Sequence, residues 1–354
     1  MDKLNENDSS GKRPYKYNPK PEFEARMNAL LGNEEDKKAF WKIVHTEPIN
    51  SIRCNTLKIN PKELKKRLEG KGWKINQPYS KHEEIMVIES NLMPGELGRS
   101  MEHILGYYYV QEISSMMPIL ALNPGEGDSF VDVCASPGSK TTQAAALMNN
   151  GGNIIANDNQ MSRLAILASN LEKCGVSNTV VTRRDGVRLC KDLGKMGFEV
   201  SKILADVPCS GEGTLRSSPK TFVMWNMKTV ENLGRQQKVI AAAALELLDV
   251  GSEMIYSTCT HAPEENEAVV DFLINNFDIK IENVRDLLPL KTREGVSEWL
   301  DKKYSEEVKK CARIYPQDND TEGFFLCKIK KLSNKKFSDE SGDRYSELNE
   351  GDEE

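Results

Sequence analysis

The chain has 354 residues, 38% of them hydrophobic, and a formal net charge of −6. No apolar run approaches 18 residues, which excludes a membrane-spanning helix, and the length suits one large domain with room for a smaller one. From Leu332 to Glu354 eight acids face three bases, so the tail holds nearly all of the net acidity and leaves the rest of the chain able to meet a polyanion.

Residues 1–18 are polar and carry Pro14, and residues 332–354 are rich in Ser, Asp and Glu; both read as disordered, which leaves 19–105 and 106–331 as folded domains. The first residues do not form a signal peptide. The eight cysteines lack the paired spacing of a zinc site or a secreted disulfide framework, so a cytoplasmic protein with free thiols and no metal is expected. Two short helical patterns, 21–31 and 34–44, lead into a strand candidate at 51–57 and then a helix opened by Pro61, a residue tolerated at the first helical position. Strand-like runs at 73–75 and 84–89 complete a small α+β unit. Its window from Arg53 to Lys74 holds eight bases against Glu63 and Glu69, beside Trp73. That pattern fits a phosphate-tracking surface and equally a solvated helix face.

From Phe130 strands alternate with helices, the signature of a doubly wound α/β sheet. Strands are predicted at 130–134, 153–157, 179–183, 202–207 and 253–258, with a weaker one at 279–284 and a last one, 323–329, closing the sheet at its edge. The intervening helices are predicted at 140–148, 162–173, 230–248 and 263–275. The last has Pro263 near its first turn and Glu264, Glu265 and Glu267 at the positive end of its dipole. Seven strands in this arrangement form a Rossmann-like sheet, which binds ligands at the carboxyl ends of its strands.

Three of those ends carry candidate ligand groups. After the first strand, Cys134-Ala135-Ser136-Pro137-Gly138-Ser139-Lys140 is a turn of small residues leading into a helix start, open to close approach by a ligand. It is no P-loop, since Val133 stands where a glycine is needed and Ser139 separates Gly138 from Lys140; the three-glycine dinucleotide fingerprint is also absent. Asp158 follows the second strand, about twenty residues beyond the turn, where such folds hold a ribose diol. Asp185 follows the third. Together they suggest a nucleoside-bearing cofactor; the alternative is that Asp158 and Asp185 merely cap helices.

Two further strand ends carry thiols: Cys209 in Ala205-Asp206-Val207-Pro208-Cys209-Ser210-Gly211, and Cys259 in Tyr256-Ser257-Thr258-Cys259-Thr260. In the usual strand order these two strands are neighbours, about 5 Å apart, so both thiols would share one cleft suited to covalent chemistry. Cys54, Cys174, Cys190, Cys311 and Cys327 read instead as core packing.

These segments, with 51–58, 106–118 and 313–325, resemble the Sun-domain family of S-adenosylmethionine-dependent RNA cytosine-5 methyltransferases, over most of the chain from about 51 to 330. The resemblance implies a Rossmann-like methyltransferase domain preceded by an RNA-recognition-like domain. It implies Cys259 as the nucleophile at carbon 6 of cytosine, Asp206 at the ring's N3 and exocyclic amine, Lys140 orienting the base and favouring the thiolate, and Cys209 in elimination and release. DNA cytosine methyltransferases give the attacking role to the cysteine of a Pro-Cys pair, here Pro208-Cys209. For the cofactor the resemblance implies the turn Cys134, Ala135, Ser136, Pro137 and Gly138 with Lys140, then Asp158 for the ribose, Arg163, Asp185 for the adenine amine and Asp206 beside the methionine part. It implies RNA contacts at Arg53, Asn55 and Lys58 and a monomer acting on RNA, tRNA first and rRNA second; a catalytically silent RNA-binding assembly factor is the non-enzymatic alternative. Two departures stand out: Ser218-Pro219-Lys220 ahead of Trp225, where relatives have Asn-Pro-Asp, and Gln317 after Pro316, where a histidine is frequent.

Overall fold

In a computed structural model, which describes residues 17–337, the β-branched and aromatic runs form two main sheets. The smaller is built from β1 (Asn50–Cys54), β2 (Ile75–Asn76), β3 (Ile85–Ile88) and β4 (Tyr108–Val110). All its pairings are antiparallel, in the order β2-β3-β1-β4. The helix Pro61–Glu69 buries Leu64 and Leu68 against Ile52, Cys54, Met86 and Ile88 of this sheet.

The larger sheet contains β5 (Ser129–Asp132), β6 (Asn153–Asn157), β7 (Thr179–Thr182), β8 (Lys202–Asp206), β9 (Glu253–Thr258), β10 (Phe277–Glu282) and β11 (Arg293–Glu294). A separate hairpin, β12 (Glu298–Trp299) with β13 (Lys302–Lys303), precedes its last two strands, β14 (Ala312–Ile314) and β15 (Phe324–Lys336). The order is β11-β14-β15-β9-β8-β5-β6-β7, with β10 also on β15. β5 to β9 run parallel, and β15 is antiparallel to β9. Along these strands alternate residues enter two cores. Val131, Ile155, Ile203 and Tyr256 meet the helices Gly186–Lys195, Met227–Leu247 and Glu267–Asn276; Phe130, Ile154, Leu204 and Ile255 meet Ile113–Leu122, Ser139–Leu147 and Met161–Cys174.

The fold class is the expected one, with local corrections. The sheet has nine strands because the short β11 and β14 extend it. β15 is interior: Phe325–Lys330 pair with β9, while β14 and β10 share its other side, which a 13-residue strand is long enough to satisfy twice. It runs to Lys336, so residues 332–336 are ordered strand and not tail. Residues 338–354 of the predicted tail, and residues 1–16 of the arm, lie outside the described residues.

Besides four single-turn helices, two helices of ten residues each have no predicted counterpart. Ile113–Leu122 buries eight of its ten residues and carries Pro118, so it shows no amphipathic period to read. Gly186–Lys195 is capped by Asp185. The helix expected at 263–275 begins only at Glu267, with Asn266 as its cap residue. Glu264 and Glu265 therefore lie in the preceding turn, where they meet side chains and backbone groups of other segments.

The N-terminal helices Pro21–Leu30 and Glu34–Ile43 do not pack in the small sheet's core. Phe23, Met27 and Phe40 join Leu215, Phe222, Trp225 and Tyr315, and Phe23 stands edge-on to Trp225 at 5.4 Å. Arg26 adds a bidentate bond to Glu264, at 3.1 and 2.7 Å. Conversely β4, beyond residue 105, belongs to the small sheet. Among the described residues no helix is long and apolar enough to cross a membrane.

Arg313 of β14 and Glu267 are both buried, with Arg313 Nε 2.6 Å from Glu267 Oε1. Removing one partner of such a pair leaves an uncompensated buried charge. Glu267→Ala is expected to lose about 3–5 kcal/mol, read as a lower urea midpoint at unchanged slope.

Candidate active site

β8 and β9 pair in parallel with Asp206 opposite Ser257, so the segments that leave them emerge side by side. Three residues beyond Asp206 and one beyond Thr258, the structure brings the two thiols together: Cys209 Sγ and Cys259 Sγ are 3.1 Å apart, both half-buried. The backbone fixes this pair from outside. Gly213 N–H donates to the Cys259 carbonyl at 2.9 Å, and a Cβ on Gly213 would fall 2.2 Å from the Gly323 carbonyl oxygen, so only glycine fits there.

Lys140 lies in the first turn of Ser139–Leu147 and is buried. Its Nζ is 2.8 Å from Asp206 Oδ2, donates to Ser115 Oγ at 3.0 Å, and stands 5.3 Å from the centre of the Phe324 ring. Burial opposes its charge, but Asp206 outweighs that and holds the ammonium above the usual lysine range. Asp206 Oδ1 accepts from Ser257 Oγ at 2.7 Å. Lys140, Asp206, Cys259, Ser115, Gln111 and Phe324 line a cleft of about 410 Å³. A larger groove of about 760 Å³ lies at the β7 edge, apart from these groups.

Cys209 does not line the cleft. Its thiol is pushed up first by its hydrogen bond to Cys259, then by burial and by the neighbouring charge of Glu265. The Cys134 thiol is likewise pushed up, by burial.

The turn from Cys134 to Gly138 joins β5 to the helix that carries Lys140. Gly138 has φ +100°, and a Cβ there would sit 2.8 Å from Leu167 Cδ1. Ala135 N–H donates to the Asn157 carbonyl at 2.7 Å, tying the turn to the end of β6. Asp158 is buried just past β6, with Arg163 Nε 3.3 Å from its Oδ2, and Arg163 Nη2 donates to the Ser136 carbonyl at 2.8 Å. Asp158 Oδ1 accepts from Gln160 N–H at 3.0 Å. Asp185 is exposed and caps Gly186–Lys195, its Oδ1 accepting from Val187 and Arg188 N–H at 3.0 and 3.2 Å.

One buried acid here was not among the predicted site residues. Asp132 ends β5; its Oδ2 accepts from Thr141 Oγ1 at 2.7 Å, and its Oδ1 has no hydrogen-bond partner in the structure. Burial pushes its carboxyl up to about 7. An unmatched acceptor beside the glycine turn fits a ligand that brings its own N–H donors, as the amino group of S-adenosylmethionine would. The strand predicted at 130–134 put Asp132 in its middle, and the available signal was an acid inside an otherwise apolar run.

Of the three predicted RNA contacts Arg53 and Asn55 are buried, whereas Lys58 is exposed. Arg53 is buried between the small sheet and the Lys140 helix, where it bonds Gln111 Oε1, the Ser139 carbonyl at 2.6 Å and Thr142 Oγ1 at 2.8 Å. Asn55 is buried too, and its Nδ2 donates to the Gly106 and Cys174 carbonyls, each at 2.8 Å. The Lys58 head group is occupied by the Leu105 and Lys173 carbonyls. These three residues fasten the small sheet to the large domain. Trp73, read as an aromatic beside the basic window, is buried and donates to Glu96 at 2.9 Å. Of the two departures, Ser218 and Lys220 are exposed, and Gln317 donates to Asp36 at 2.9 Å.

Residues 119–330 match the family model described as 16S rRNA methyltransferase RsmB/F, and residues 20–113 match that for the N-terminal domain of 16S rRNA methyltransferase RsmF. The chain belongs to the RsmB/F, or Sun-domain, family of RNA cytosine-5 methyltransferases. Its enzymes take their methyl group from S-adenosylmethionine. The chain is 42% identical to the tRNA (cytosine(49)-C(5))-methyltransferase of Pyrococcus abyssi, over 84% of this chain and 93% of that protein. It is 36% identical to ribosomal RNA small subunit methyltransferase F of Vibrio cholerae, over 89% of this chain but 64% of that protein. Among solved structures, a methyltransferase homolog from Pyrococcus horikoshii matches with a TM-score of 0.73 at 31% identity, over 88% of this chain and all of that one. NSun6 from Pyrococcus horikoshii matches with a TM-score of 0.74 at 25% identity, over 89% and 98%.

For this family member Arg53→Ala is expected to lose about 3 kcal/mol or more of stability, because several buried acceptors lose a charged donor. The salt dependence of its RNA affinity should stay unchanged, since no phosphate contact is removed. Thermal unfolding and RNA titrations at several salt concentrations check the two halves.

Proposed function

We propose that this protein, acting as a cytoplasmic monomer without a metal, methylates carbon 5 of cytosine in tRNA, with Cys259 as nucleophile. The observation that carries the reading is the cleft itself, where Cys259 stands with Lys140 and Asp206 while Cys209 touches it from outside the lining. The tRNA assignment is supported by the Pyrococcus abyssi relative, which the chain matches over nearly its whole length. A second reading, rRNA, is favoured by the two matching family models, although the Vibrio cholerae rRNA enzyme extends well beyond this chain.

Carbon 5 of cytosine is a poor nucleophile. Addition of the Cys259 thiolate to carbon 6 moves an electron pair toward carbon 5; Asp206, at the base's N3 and amine edge, accepts from the amine and orients the ring, and the Lys140 cation beside it offsets the charge that the ring takes up. Lys140, bonded to Asp206 and Ser115, holds that carboxylate in place and keeps a cation at the cleft wall. Bound S-adenosylmethionine supplies an electrophilic methyl group. The turn Cys134–Gly138 with Asp132, Asp158 and Arg163 would hold it, and Asp185 would approach its adenine.

Release needs the second thiol. While Cys259 is a thiolate it accepts from Cys209, and that bond is the largest cause keeping Cys209 protonated. Once Cys259 sulfur is bonded to carbon 6 it is a neutral thioether and a far weaker acceptor, so Cys209 can give its proton to solvent and, as a thiolate, take the carbon 5 proton. The freed electron pair re-forms the C5=C6 bond, and the C6–S bond breaks to return the Cys259 thiolate. The target base must be unpaired or flipped out of a helix to reach the cleft. With Arg53 and Asn55 buried, phosphate contacts from the basic window fall to exposed Lys62 and Lys66.

Cys259→Ala should abolish methyl transfer from labelled donor, while Cys209→Ala should leave RNA covalently attached to the protein, seen as a band that survives denaturing gels. An adduct in Cys259→Ala and none in Cys209→Ala would overturn the assignment. Mapping the labelled cytosines in total RNA decides between tRNA and rRNA. Asp158→Ala should weaken S-adenosylmethionine binding about tenfold or more by isothermal titration; unchanged affinity would remove Asp158 from the cofactor site.

A further inference from the structure

Glu265 is fully buried in the turn before Glu267–Asn276, and among the described residues no lysine or arginine forms an ion pair with it. Its Oε2 accepts from the Ser210 N–H at 2.9 Å and from Gln237 Nε2 at 2.8 Å, and Gln237 Nε2 also donates to the Pro208 carbonyl at 2.8 Å. Its Oε1 is 3.5 Å from Thr260 Oγ1, which in turn lies 2.8 Å from Ser210 Oγ. The Glu265 carbonyl accepts from the Tyr256 hydroxyl at 2.5 Å, so the turn is anchored on β9. One carboxylate thus holds the residue after each thiol and, through Gln237, the residue before Cys209.

We propose that Glu265 is the positioning residue of the thiol pair: it sets the contact between Cys209 and Cys259, and its charge keeps Cys209 from becoming the attacking sulfur. The inference rests on the roles proposed above for the two cysteines. Its electrostatic half follows from placement. Glu265 adds a negative charge on the Cys209 side, where it disfavours a second anion, whereas the cation of Lys140 stands in the cleft wall with Cys259. Burial pushes the Glu265 carboxyl up, and the donors Ser210 and Gln237, which favour its ionised form, offset this in part. A buried acid with several donors and no cation is costly to keep unless the loops it joins need to be fixed.

The test compares full-length wild type, Glu265→Gln and Glu265→Ala. Alkylation of Cys209 by iodoacetamide is followed across pH by peptide mass spectrometry without RNA or methyl donor, and single-turnover methylation is measured with both. Glu265→Gln can keep the Ser210 and Gln237 bonds on its oxygen and give its NH2 to Thr260, so it removes the charge and little else. With the negative charge gone, the Cys209 profile should move to lower pH, raising its alkylation at pH 8 about threefold or more. Methyl transfer should fall severalfold in Glu265→Gln and at least about tenfold further in Glu265→Ala, where both tethers are lost. An unmoved Cys209 profile in Glu265→Gln, or wild-type transfer by Glu265→Ala, would overturn the proposal. Should Glu265→Ala not fold, the Glu265→Gln profile alone decides. Should the wild type methylate no RNA, the proposed function fails while the alkylation profile still reads Glu265.

Discussion

Because β8 and β9 run parallel with Asp206 opposite Ser257, the chains that leave them start one strand spacing apart, about 5 Å. Two sulfurs carried on such neighbouring exits can touch, whereas thiols on more distant strands of the same sheet could not. Every other feature of the cleft is arranged around that contact. Lys140 reaches Asp206 from the helix after β5, which pairs with β8 on its other side, so three consecutive strands supply the cation, the carboxylate and the two thiols. The reversal of strand order between β5 and β8 is the place where doubly wound sheets open a ligand crevice.

The small sheet contributes to the same constellation through a buried charge. Arg53 leaves β1 and ends on the Ser139 carbonyl and Thr142, within the helix that presents Lys140, while Gln111 beside β4 both receives Arg53 and lines the cleft. A displacement of the small sheet would therefore disturb the Lys140 helix.

The strands of the large sheet were legible because buried parallel strands read as continuous apolar runs, and the meeting of Cys209 with Cys259 followed once their strands were ordered. What escaped the sequence was which partner each polar residue faces. Arg53, Asn55 and Trp73 carry the chemistry of a nucleic-acid surface, yet burial and fixed acceptors make them fasteners; charge and aromaticity along a chain do not report the element packed on top. Ile113–Leu122 escaped for the opposite reason, since a helix buried on nearly every side has no polar face to mark its period. Pro263 marked a turn that delays the helix to Glu267, and the delay frees Glu264 and Glu265 to reach Arg26 and Ser210.

The distribution of charge ties these points to the chemistry. Asp206, Glu112 and Glu322 line the cleft, with Asp132 and Glu265 buried outside its lining, and of these acids Lys140 bonds Asp206. Glu265 is satisfied by neutral donors instead, which lets it remain an anion without attracting a cation to the Cys209 side. Asp132 has one oxygen without a donor, and its carboxyl titrates near neutrality in consequence of burial. A site left with more acid than base in a low-dielectric crevice favours a ligand that arrives positively charged, and a methyl donor bearing both a sulfonium and an ammonium is of that kind. The same excess would oppose a second thiolate beside Cys259. The arrangement that suits such a donor is therefore also one that would disfavour ionising both sulfurs of the pair at once.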